Sequence, residues 1–274
     1  MEQELIDAIS KYPDRWNLCL RIDHASVAYT LYAPKEELSF CCGTIGLDAA
    51  AGSELKSIEN ALYDSGFLVN DFRSVSIVVD TESMAVMPDA LTDEQMMSAF
   101  DESFPSFDGD VVVSRRSRPA GVAVVFGIAK GLEAFLMRTY YNARIISPLC
   151  SLIPFFGKRS RLGNVSKLNV SMSGNRLYVM VFGGTSLLFA NAFTATSADT
   201  AAYFVLSAWQ QCGCNPLNDE ITVSGISPLK SDMMDALRQY VSFVMPALFP
   251  SQLLTLSKDT INIPFELTLL SLCE

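Results

Sequence analysis

Few side chains in this chain are equipped for catalysis. His24 is the only histidine among 274 residues, so a Ser-His-Asp or Cys-His site would have to use it. Its neighbour Asp23 is adjacent in sequence, and in extended chain adjacent side chains point to opposite faces. The pair therefore reads as turn chemistry rather than a dyad. The seven cysteines are Cys19, Cys41, Cys42, Cys150, Cys212, Cys214 and Cys273. Neither Cys41-Cys42 nor Cys212-Gly213-Cys214 has the two-residue spacing of a zinc pair, and Gly213 suits a helix C-cap. Several cysteines sit in apolar runs, as small buried hydrophobes in a reducing compartment do. The expectation is no catalytic residue and no metal.

Two basic clusters stand out: Arg115, Arg116 and Arg118 before Pro119, and Lys158, Arg159 and Arg161 between Gly157 and Gly163. Both read as solvated loops, or alternatively as a site for an anion or an acidic partner. No aromatic residues accompany them to stack bases. Gly127-x-x-x-Gly131 is not a P-loop, because no Lys-Ser/Thr follows it. The acidic stretch from Asp89 to Asp110 reads as the exposed face of a helix and a loop.

Composition bounds the rest. Lys plus Arg number 20 against 30 Asp plus Glu, a net charge of −10. Such a chain repels phosphate backbones and anionic lipid, so neither nucleic acid nor a membrane is the expected partner. Half of the residues are hydrophobic and mean hydropathy is +0.26, enough for a sizeable core and inconsistent with disorder. At roughly 150 residues per domain the length suggests two. Met1-Glu2-Gln3-Glu4 lacks the basic start of a secretory signal, and the best apolar stretch, Gly121 to Met137, is broken by Lys130 and Glu133. The expected location is the cytoplasm. The sequons at Asn164 and Asn169 have no meaning without secretion.

Periodicity supplies the elements. Leu18–Ile22, Val27–Tyr32 and Leu38–Cys42 read as a strand meander, with a polar turn at residues 34–37 and a small-residue loop from Gly43 to Ala51. Ser53 caps a helix carrying Leu55, Ile58 and Leu62, which Gly66 ends; Val75–Val79 is the next strand. Thr92 and Gln95 form a capping box. Val111–Val113 and Val122–Phe126 read as a hairpin joined by the loop 114–119, then a helix over 128–141, a strand over 143–146 and an apolar segment from Pro148 to Phe156. Gly157 to Asn164 reads as a linker, which puts the boundary between residues 1–160 and 161–274. After it come strands Lys167–Met172, Leu177–Phe182 and Ser186–Asn191, with turns at Ser173-Gly174-Asn175 and Gly183-Gly184. Ser197 caps a helix to about Cys212. Ile221–Ser224 is a strand ended by Gly225, Lys230–Met245 a helix ended by Pro246 and Pro250, and Ile261–Ile263 a short strand. Pro264 opens a last helix through Leu272.

The two halves thus repeat one order: three strands, helix, strand, helix. Equivalent strands around Ile22 and Val170, or Ser39 and Leu188, are offset by about 148 and 149 residues. A meander followed by alternating helices and strands makes a mixed sheet with helices on its faces.

This duplicated order resembles the actin/Hsp70/sugar-kinase (ASKHA) superfold, an α/β fold of two ribonuclease-H-like halves with a cleft between them. It looks closest to an uncharacterised bacterial family near the pilus-assembly and cell-division adaptors. The resemblance rests on topology and on weak patterns such as Ser186 to Phe193. It implies ATP between the halves, held by backbone amides at glycine-rich turns.

The first phosphate loop is expected at Asp23-His24-Ala25-Ser26, where Asp23 stands in the metal-linked acidic position, Ser26 could donate to a phosphate, and His24 replaces glycine. The second, at residues 169–175 with Ser173, Gly174 and Asn175, lacks a carboxylate for Mg²⁺. The adenosine loop keeps one glycine of two, in Ser224-Gly225. The reading is of a binding or scaffold module with degenerate nucleotide motifs, leaning away from an enzyme, with no cofactor expected and another protein as partner. The alternative is a nucleotide-binding switch or ATP-dependent enzyme with a variant site at Asp23, Ser26, Gly174 and Gly225.

Overall fold

The computed structural model describes residues 2–34, 40–104, 110–161, 163, 165–184, 186–248 and 262–271. Helix α1 (Glu2–Lys11) leads into β1 (Asn17–Ile22), β2 (Ser26–Tyr32) and β3 (Phe40–Gly46). Then come α2 (Glu54–Asp64) and β4 (Ser74–Val79). An inserted unit follows: β5 (Met84–Pro88), α3 (Asp93–Ser103), β6 (Asp110–Ser117) and β7 (Val122–Ala129). Next are α4 (Lys130–Thr139), β8 (Arg144–Ile146) and α5 (Leu149–Ser160). The second half has β9 (Lys167–Ser173), β10 (Arg176–Gly183), β11 (Ser186–Thr194), α6 (Ala198–Gln211), β12 (Glu220–Ile226), α7 (Lys230–Arg238), β13 (Phe243–Pro246) and α8 (Phe265–Leu270).

The strands form two five-stranded sheets of the same plan, β3-β2-β1-β4-β8 and β11-β10-β9-β12-β13. In each, the first three strands are antiparallel neighbours and the last two join in parallel. The repeated order read from the sequence is therefore a repeated sheet. β5, β7 and β6 make a separate antiparallel sheet, covered by Met96 and Phe100 of α3.

Side-chain alternation explains how the halves join. On β10, Tyr178, Met180 and Phe182 belong to the core of the first half, while Leu177, Val179 and Val181 face α6 and α7. A strand buried on both faces reads as a continuous apolar run, and this one does. Helices α5 and α8 pack on each other; α5 also meets β9 and β10, and α8 meets β1, β2, β9 and β12.

Local signals fix the helix starts. Ser53 Oγ accepts from Lys56 N, and Ser197 Oγ accepts from Thr200 N. Thr92 and Gln95 cap reciprocally, as expected. Gly66 (φ +70°) and Gly213 (φ +66°) follow the helix ends they were expected to mark.

Several expectations are corrected. The third strand runs on to Gly46, through residues read as loop, because pairing with β2 continues to Ser26↔Gly46. Arg115 and Arg116 lie in β6, paired to Val124 and Ala123, rather than in a loop. Ile128 and Ala129 complete β7, and the helix begins at Lys130. Residues 157–160, read as linker, form the last turn of α5, with Ser160 buried. Gly183 ends β10, so its turn begins at Gly184. The helix from Lys230 stops at Arg238, and Phe243–Pro246 is the strand β13, because β12 offers it a parallel edge. Ile263 is not in a strand. Helix α1 and strand β5 were not anticipated. The turn at residues 35–37, Leu38, Asn164, Pro250, Ile261 and Leu272 lie outside the described residues.

Candidate functional site

The β1–β2 turn closes on itself. Asp23 Oδ1 accepts from Ala25 N (2.9 Å), Ser26 N (2.8 Å) and Ser26 Oγ (3.2 Å), and Asp23 N donates to Ser26 O. This is the self-capping an aspartate gives a turn. These two amides and the Ser26 hydroxyl are engaged within the turn. His24 is exposed and its Nδ1 lies 2.8 Å from Glu54 Oε1.

One residue inward stands Arg21, 1% exposed. Its Nε donates to Glu266 Oε1 of α8 (2.6 Å), Nη1 pairs with Asp23 Oδ2, and Nη2 reaches Asp80 Oδ2 (3.3 Å), just past β4. Asp80 also receives Arg176 Nε of β10 on Oδ1 (3.3 Å). Arg176 further donates to Thr81 O (2.9 Å) and Thr194 Oγ1 (2.8 Å). The chain thus ties β1, β4, β10 and α8 together with charged groups.

Burial alone would lower the Arg21 pKa, but Glu266, with Tyr178, Asp80 and Asp23, outweighs it and raises it. Glu266 is 0% exposed, and burial pushes its pKa up against the opposing pull of Arg21. Its Oε2 has no hydrogen-bond partner among the described residues. The Tyr178 phenol is held protonated, first by burial and then by the nearby Asp80 charge.

Asp23, His24, Ser173, Gly174 and Asn175 line a cavity of about 190 Å³, together with Arg21, Asp80 and Arg176. Gly174 (φ +58°) turns the chain between β9 and β10, and its amide donates to Ile226 O (2.9 Å). Three expected residues stand apart from this cavity. Ser26 is held by Asp23. Ser224 is buried, with Oγ donating to Val170 O (3.1 Å). Gly225 (φ +81°) lies so close to β9 that a Cβ there would collide with the Met172 carbonyl oxygen. Its glycine serves sheet packing.

The two basic clusters approach each other at Arg161, which reaches the turn after β6. Arg115, Arg116 and Arg118 line a cavity together with Arg144. Arg159 donates to Leu248 O and stacks on Phe155, and Arg161 donates to Pro119 O. Lys158 is an exposed residue of the last turn of α5.

Sequence reasoning missed Arg21, Asp80, Arg176 and Glu266. The available signal was Arg21 itself, a lone charge inside the apolar run Leu18–Ile22. Among the described residues, no three His, Cys, Asp or Glu gather as a metal site, and the six described cysteines are free thiols. No described helix is long and apolar enough to cross a membrane.

Two sheets of identical order, joined by helices and enclosing a cavity at their strand ends, define an actin-like ATPase fold. A protein of Bacteroides thetaiotaomicron VPI-5482 with an actin-like ATPase fold and unknown function matches with a TM-score of 0.84 and 22% identity, over 97% of this chain and 98% of that one. A chain of the PilM-PilN type IV pilus biogenesis complex matches with a TM-score of 0.55 and 11% identity, over 93% of this chain and 97% of that one. Residues 10–244 match the family described as Protein of unknown function (DUF3822), and the chain belongs to that family. A comparison with curated proteins finds no match.

Proposed function

We propose that this protein is a non-catalytic binding or scaffold module, in which an ion-pair network does the structural work that a bound nucleotide does in a working ATPase of this fold. The observation that carries the reading is Arg21, whose guanidinium stands among Asp23, Asp80 and Glu266. The residues present do not fit Mg²⁺-ATP. A magnesium ion needs carboxylates able to face it and phosphates, and here Asp23 and Asp80 are engaged by arginines. A phosphate needs unpaired amides, and Asp23 occupies those of Ala25 and Ser26.

A fold of this kind that no longer cycles nucleotide retains its surfaces, and another protein is the partner that suits them. The similar fold found in the PilM-PilN complex supports the same reading.

The test is thermal unfolding with and without millimolar Mg²⁺-ATP, with Asp23→Ala alongside. A ligand at about 100 times Kd would stabilise the native state by roughly 2.7 kcal/mol, a shift of several degrees at this size. The expected result is no shift in either protein. A shift present in the native chain and lost in Asp23→Ala would replace this reading with a nucleotide-binding switch.

A further inference from the structure

Arg115 of β6, Arg118 in the turn that follows β6, and Arg144 at the start of β8 converge on a cavity of about 430 Å³. Its accessible apolar lining comes from Pro119 and from Pro154 of α5, above the buried Val124, Leu149 and Ile153. No acidic residue lines it, in a chain of net charge −10. Arg116 also reaches it but is committed elsewhere, to Asp93 (2.6 Å) and to the carbonyls of Asp89 and Leu91.

The other three arginines are less committed. Arg115 spends Nε on Ile145 O (2.9 Å) and Nη1 on Ser114 O (3.1 Å), which aims its guanidinium rigidly and leaves Nη2 with no acceptor among the described residues. Arg118 and Arg144 have no side-chain acceptor or carboxylate partner among the described residues. Burial pushes the Arg115 pKa down, against the opposing effect of Cys150, and the Arg144 charge adds to the fall. Burial also pushes the Cys150 thiol up to about 11, which makes it part of the soft floor and not a nucleophile.

We propose that this cavity binds a small organic phosphomonoester, its phosphate held by Arg115, Arg118 and Arg144 and its apolar body resting on Pro119 and Pro154. Three guanidiniums with no carboxylate among them match a dianion better than a monoanion, and their planar forks fit phosphate oxygens. The volume lies within the range of small-ligand sites. The proposal does not depend on the state of the nucleotide cleft.

The experiment is calorimetric titration of the full chain with phenyl phosphate at low salt, with inorganic phosphate and benzoate as comparisons. Saturable one-to-one binding of phenyl phosphate, tighter than either comparison, is expected. Arg118→Gln and Arg144→Gln, which break no contact among the described residues, should each weaken it about tenfold with an unchanged unfolding midpoint. The proposal is overturned if no saturable binding occurs up to about 10 mM, a ceiling corresponding to about 2.7 kcal/mol of affinity. Benzoate binding as tightly as phenyl phosphate would overturn the phosphomonoester assignment. Affinity unchanged when Arg118→Gln and Arg144→Gln are combined would overturn the site.

Discussion

Arg176, on the second sheet, donates from Nε to Asp80 Oδ1, at the end of the first sheet's β4, at 3.3 Å. The other oxygen of that carboxylate faces Arg21. Asp80 is therefore the hinge pin of a network in which three carboxylates (Asp23, Asp80, Glu266) share two guanidiniums (Arg21, Arg176), one negative charge in excess. The two sheets are thus tied to each other by their own charged side chains.

Arg21→Met tests how much the network holds. Removing one partner of a buried ion pair leaves the others desolvated and unpaired, a loss of about 3–5 kcal/mol. The double variant Arg21→Met with Glu266→Met should recover part of that loss, because it removes the orphaned charge. Urea unfolding measures both. A single-variant loss below about 1 kcal/mol, the size of an exposed pair, would show that the network is incidental.

Glu266 sets a pH dependence whose sign follows from its raised pKa. A carboxyl with a folded-state pKa above the unfolded value of about 4.3 binds its proton more tightly when folded. The stability it contributes is full below the unfolded value and is lost as pH rises through the folded one. The native chain should therefore gain stability relative to Glu266→Gln as pH falls from about 7 towards 4.5. Unfolding free energies of the two proteins across that window check this. A difference that grows as pH rises instead would mean that the Arg21 pairing outweighs burial.

The elements were legible where their signals are local. Ser53, Thr92 and Ser197 cap helices because a hydroxyl and an amide three residues on suffice. β13 was hidden because Met233, Leu237, Val241 and Val244 keep helical spacing across Tyr240, where no glycine or proline marks the stop. The same division applies to the site. The turns at Asp23 and Gly174 could be read from sequence, since turn chemistry is local. Arg21 and Glu266 are 245 residues apart, and only the packing of α8 between the sheets brings them together. A pairing of that range leaves no trace in spacing.

The Asp80–Arg176 contact joins the halves, and a double-mutant cycle isolates it. Asp80→Ala and Arg176→Ala should each destabilise the chain, and their combined effect should fall short of the sum. A coupling within about 0.5–3 kcal/mol is the range for residues in one network. Strict additivity in chemical unfolding would mean that the pair does not hold the sheets together.

Gly225 and Gly174 both stand in turns that the sequence resemblance assigned to nucleotide, yet their surroundings differ. Both have positive φ, +81° and +58°. A Cβ at Gly174 meets nothing within 4 Å, so Gly174→Ala carries the backbone strain alone, about 1–2 kcal/mol. A Cβ at Gly225 would strike the backbone of Met172 on the neighbouring strand, which cannot move aside as a flexible side chain can. Gly225→Ala should therefore cost at least about 3 kcal/mol, the strain plus a displaced β9–β12 pairing. Thermal unfolding of the two variants, with no nucleotide added, decides the point. If Gly225→Ala is tolerated as well as Gly174→Ala, its glycine does not serve the sheet, and a ligand-contacting role returns to consideration.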